Sequence, residues 1–141
     1  VRNAATNRTE AGEVAAILRT DAKPGDVVLY CPDQVGPSVH RLVQPGLDEM
    51  TYPLLHKPAL VDWVDYTKVI AAHPPAAVAR EVLALAGHRT IWYVSAPGYR
   101  THAAVCDALS AFLAQARPEQ VRLAPDTKFF ELPGLQEFSA R

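Results

Sequence analysis

Thr90–His102 reads TIWYVSAPGYRTH, and this stretch decides the fold class. Ile91, Trp92, Tyr93 and Val94 form an aromatic and β-branched run with no charge, as a strand buried on both faces requires. Ser95, Ala96, Pro97 and Gly98 break the run, and Thr101 then caps a helical pattern with Val105, Ala108, Leu109 and Phe112 on one side. A strand, a short turn and a helix N-terminus in succession are the parts of an α/β ligand site. They are equally the parts of an α/β domain with nothing bound.

The same alternation extends in both directions. His73-Pro74-Pro75 precedes a helix that buries Val78, Val82, Leu85 and Ala86, with Gly87 as its C′ residue. Val27–Cys31 is a second uncharged strand. The helix before it starts at Thr9, runs Ala11, Val14, Ala15, Ile17 and Leu18 along one face, and is stopped by Pro24-Gly25. Ser38 to Val43 reads as a short helix with Val39, Leu42 and Val43 apolar. Met50–Leu55 reads as a strand that Pro53 confines to an edge. Lys57–Ala72 is a long connection with room for a short helix. After Pro118, Val121–Leu123 and Lys128–Phe130 read as a hairpin around Pro125-Asp126, and Leu135 to Phe138 as an added edge strand.

Helices alternating with uncharged strands predict an α/β fold: a three-layer sandwich with a mostly parallel central sheet, Rossmann-like without a dinucleotide fingerprint. Right-handed crossovers put Val27–Cys31 and Ile91–Val94 near its centre. Residues 1–8 lack periodicity and read as a linker or disordered start, leaving 9–141 as a single α/β domain. A chain of 141 residues fits one such core. The 12 prolines fall mostly between apolar runs and act as punctuation. A formal charge of −1 argues against a nucleic-acid surface. No basic-plus-apolar leader precedes the first helix, and no run has the length of a membrane span. A start at Val1 rather than Met is expected of a processed chain or of a piece of something larger.

The chemistry is defined first by what is missing. There is no Gly-rich phosphate loop of dinucleotide or Walker type, no Gly-x-Ser-x-Gly elbow, and no His-Glu-x-x-His or Cys-x-x-Cys pair. No catalytic residue, metal ligand or cofactor is therefore assigned. Cys31 and Cys106 read as two buried thiols, or as a disulfide in an oxidising compartment. Strand-end logic gathers Asp33, Gln34, Ser38 and His40 after one strand and Ser95, Tyr99, Arg100 and His102 after the other. These residues suit a hydroxylated ligand, and equally the capping of helices and loops. Trp63 between Asp62 and Asp65 has the make-up of a sugar contact, an aromatic face flanked by hydroxyl-binding carboxylates, or of an apolar plug over the sheet. His56, His73 and His88 stand alone.

Several of these stretches also occur together in a known setting. Glu10-Ala11-Gly12-Glu13-Val14 leads to Lys23-Pro24-Gly25-Asp26-Val27-Val28 and then Tyr30-Cys31-Pro32-Asp33-Gln34. Val61-Asp62-Trp63-Val64-Asp65-Tyr66 and Trp92-Tyr93-Val94-Ser95 follow. From about Thr9 onward the chain resembles the C-terminal soluble domain of actinobacterial polytopic membrane glycosyltransferases that use lipid-phosphate-linked sugar donors. The resemblance implies a location on the extracytoplasmic face of the cell membrane. It implies, as partners, the transmembrane portion of a parent protein and cell-envelope glycan. That family's catalytic acids belong to its membrane portion, so none is carried onto this sequence. Two further readings stay open: a free-standing α/β enzyme for a small hydroxylated or phosphorylated substrate, using Asp33, Arg100 and His102, and a purely structural interaction domain.

Overall fold

The computed structural model describes residues 9–31, 35–55, 57, 66–95, 100–123 and 134–139. In order, its elements are α1 (Thr9–Asp21), β1 (Val27–Cys31), α2 (Gly36–His40), β2 (Asp48–Thr51), α3 (Tyr66–Ala72), α4 (Pro75–Ala86), β3 (Ile91–Ser95), α5 (Arg100–Ala116), β4 (Glu119–Leu123) and β5 (Gly134–Phe138). The strands form one sheet in the order β2-β1-β3-β5-β4. β1 pairs in parallel with β2 and β3, whereas β5 is antiparallel to β3 and β4. The fold is α/β with a mixed sheet. Its parallel pairings lie on the β2 side, and the expectation of a mostly parallel sheet holds there and fails around β5.

Both central strands are buried along their full length apart from Ser95, because each face is covered. Val27, Leu29 and Cys31 of β1, with Ile91 and Tyr93 of β3, pack against Val78 and Val82 of α4 and Leu109 and Leu113 of α5. The alternate residues Val28, Tyr30, Trp92 and Val94 face the other way, toward Val14 and Leu18 of α1 and Val39 of α2. Two-residue alternation thus survives inside sequences that look uniformly apolar. The helices bury narrower stripes. Leu42 and Phe112, expected in apolar faces, are partly exposed, and Leu85 is 50% exposed.

The amino end of the sheet is closed by polar contacts. Asp26 is buried, and one of its oxygens accepts both the Lys23 backbone N–H at 2.9 Å and the Trp92 indole N–H at 3.0 Å. The turn before it needs Gly25, whose φ of +86° is unfavourable for a side chain and whose N–H donates to the Gly46 carbonyl at 2.7 Å. Arg89 binds the Gly25 carbonyl and Asp48 together, and Arg117 donates to the Arg89 and Gly87 carbonyls. On the α1 face, Arg122 pairs with Asp21 and Glu137 and stacks 5.4 Å over the Trp92 ring.

Several sequence expectations are corrected here. Of the two readings open for Cys31 and Cys106, buried thiols give way to the disulfide, with Cα atoms 5.7 Å apart across a sequence separation of 75. Cys31 ends β1 on the face that α5 covers, which brings the two together. Leu135 to Phe138 is not an edge strand, since β5 inserts between β3 and β4 and leaves β4 outermost. The strand expected at Met50–Leu55 is shifted to Asp48–Thr51, because Pro53, after a cis peptide bond, stops it; its edge position is as expected. The short helix after β1 spans Gly36–His40, with Pro37 in its first turn, rather than Ser38 to Val43. The helix after β3 begins at Arg100, one residue ahead of the expected cap. The short helix allowed for within Lys57–Ala72 is α3. Residues 1–8 and Lys128–Phe130 lie outside the described residues.

Candidate functional site

β1, β2 and β3 run the same way, so Cys31, Thr51 and Ser95 bring three carboxyl ends to one side of the sheet. β5 runs in reverse and adds its amino end there, with Gly134 in register with Ser95. The disulfide fastens this side to α5 through Cys106. Tyr93 fastens it a second time: its buried hydroxyl donates to the Cys106 carbonyl at 2.8 Å. Burial pushes the Tyr93 phenol well above its ordinary pKa, with the nearby Asp107 charge and then Tyr52 adding to the effect. It therefore remains a donor.

Beside this clasp lies a cleft of about 260 Å³ between α5 and the β3–β5–β4 side of the sheet. Ser95, Asp107, Ser110 and Gln136 supply polar groups to its lining, while Val121 and Leu123 supply apolar surface. The polar groups are partly preorganised: Ser110 donates to Gln136 at 3.1 Å, and the Gln136 amide donates to Glu119 at 2.9 Å. Such a chain leaves hydroxyl, amide and carboxylate groups able to exchange hydrogen bonds with a hydroxylated molecule, while the apolar wall takes its C–H surface. Among the described residues, no group of three or more His, Cys, Asp or Glu side chains could hold a metal ion.

The sequence-predicted site residues do not assemble as one constellation. Ser95 alone, among those described with side chains, reaches the cleft. His40 is carried away from it, because α2 turns the chain back along the sheet. His40 pairs instead with Glu49 at 2.7 Å. Glu49 is in register with Val28 and so with Trp92, two strands across and three residues back from Ser95. Arg100 and His102 lie in the first turn of α5, and their side chains are outside the described residues. Asp33, Gln34, Trp63, Asp65 and Tyr99 are likewise outside the described residues.

Sequence reasoning missed Asp107, Ser110 and Gln136, which look like ordinary surface residues of a helix and an edge strand. It also missed Glu49 and Tyr30. The signal for that pair was present, because a tyrosine inside a fully buried run needs a partner for its hydroxyl. Tyr30 finds it in Glu49, to which it donates at 2.7 Å. Comparison of the chain with protein-family models, with curated proteins and with solved structures finds no match.

Proposed function

We propose that this chain is an extracytoplasmic, non-catalytic accessory domain of an actinobacterial-type membrane glycosyltransferase, which assists acceptor-glycan binding or packs against the membrane portion in cell-envelope glycan synthesis. We further read its architecture as a Rossmann-like three-layer sandwich without a dinucleotide site, in which α1 and α2 cover one face and α3, α4 and α5 the other. The observation that carries the proposal is the Cys31–Cys106 disulfide, since such bonds persist in oxidising compartments and are rare in a reducing cytosol. The motifs from Glu10 to Ser95 supply the resemblance. The cleft beside Ser95, with Asp107, Ser110 and Gln136 over an apolar wall, has the chemistry of sugar recognition. No helix among the described residues is long and apolar enough to cross a membrane, so on this reading anchorage comes from the parent protein.

The test uses the full-length protein in its own cells. A membrane-impermeant amine reagent should label the exposed Lys23 and Lys57 on intact cells. Labelling that appears only after lysis overturns the extracytoplasmic reading. Titration with mannan or arabinan oligosaccharides then separates the two roles. Amide shifts at Ser95, Ser110 and Gln136 support acceptor binding, and their absence at millimolar ligand leaves packing against the membrane portion.

A further inference from the structure

We propose that Tyr30, Glu49 and His40 form a hydrogen-bond relay that makes Nε2 of His40 a binding point for a hydroxyl donor, an alcohol or sugar hydroxyl, beside the β2 edge of the sheet. The relay starts in the core. Tyr30 is fully buried among Val28, Val39 and Val94, and its phenol donates to Glu49 Oε1 at 2.7 Å. Burial first, then the Glu49 hydrogen bond and charge, hold the Tyr30 phenol above its ordinary pKa, so it stays a donor. Nδ1 of His40 meets the other oxygen, Oε2, at 2.7 Å.

An ionised carboxylate has acceptors only, so the proton between Nδ1 and Oε2 belongs to the imidazole. In the neutral ring that assignment leaves Nε2 with a lone pair, the reverse of the tautomer free imidazole favours in water. The Glu49 side chain is 10% exposed, whereas that of His40 is 42% exposed. The carboxylate is thus held inside while the ring it orients reaches solvent. Among the described residues, no second hydrogen bond engages the ring. Tyr30 needs one acceptor for its hydroxyl, and Oε1 of Glu49 supplies it. The second oxygen, Oε2, is left to engage Nδ1 of His40 and so to orient the ring. A fixed Nε2 lone pair takes an O–H donor and gives nothing in return, which selects neutral hydroxylated ligands over molecules that only accept.

Nitrogen-15 spectroscopy of the His40 ring on the intact chain tests this directly. The wild type should show Nδ1 protonated and Nε2 far downfield as an unprotonated nitrogen. Adding methyl mannoside should move Nε2 upfield in a saturable way, and dioxane, which has oxygens but no O–H, should not. Tyr30→Phe should weaken the response and Glu49→Leu should abolish it, with the ring returning to Nε2–H. A wild-type ring already protonated at Nε2 overturns the relay without need of any variant. An Nε2 resonance that ignores methyl mannoside, or follows dioxane equally, overturns the binding point. Oligosaccharide shifts confined to Ser95, Ser110 and Gln136 would likewise overturn it, while leaving the glycan reading of the domain in place.

Discussion

Asp26 shows how much depends on single polar atoms in this core. It is buried at the foot of β1, and one of its oxygens satisfies a backbone N–H and the Trp92 indole. Since an unsatisfied buried donor costs about 1–3 kcal/mol, Asp26→Ala should lower unfolding free energy by about 3 kcal/mol in urea. The tyrosines give a pH signature. Burial raises Tyr30, Tyr52 and Tyr93; Tyr52 is pushed up to about 12, from an ordinary value of 10.0. A folded-state pKa above the unfolded one means the native state keeps the proton longer. The stability this provides is fully present below pH 10.0 and is lost as pH rises through the folded values. Alkaline titration should therefore show these tyrosines ionising together with unfolding. Separate ionisation while the fold stays intact would contradict their burial.

At the scale of elements, β5 separates what the chain shows locally from what only assembly decides. Leu135 is fully buried because β5 lies between two strands, whereas Leu85 projects from α4 into solvent. Leu135→Ala should cost about 3 kcal/mol and Leu85→Ala less than about 0.5 kcal/mol, measured as denaturation midpoints at constant slope. Equal, small effects would return β5 to an edge. Val27–Cys31 and Ile91–Val94 were legible because strands covered on both faces must be uncharged throughout, and α1 and α4 because their caps and stops are local. The place of β5 was not legible, because its pairing partners are set by contacts distant in sequence. Nor was the role of Glu49: an acidic residue in the short run Asp48-Glu49-Met50-Thr51 looks like a loop until register sets it beside Tyr30. Of the candidate site, Ser95 was found from its strand end, whereas Ser110 and Gln136 acquire meaning only when α5 lies against β5.

For the molecule as a whole, the disulfide joins the carboxyl end of β1 to α5 and encloses β2 and β3 in one covalent loop. By the loop-entropy estimate, closing a segment of this length stabilises the fold by about 4 kcal/mol. Reduction should lower the denaturation midpoint accordingly and loosen the cleft beside Cys106 before the amino end of the sheet. Hydrogen exchange would show this as lost protection around Tyr93 and Ser110, with protection retained near Val28 and Trp92. Because such bonds persist in oxidising compartments and are rare in a reducing cytosol, the state of this one in the cell is the most direct measurement of the proposed extracytoplasmic role. Thiols are trapped with an alkylating reagent in living cells before lysis, and the cysteines are then read by mass spectrometry. A Cys31–Cys106 linked peptide and no alkylated cysteine are expected. Both cysteines alkylated without prior reduction would contradict that role.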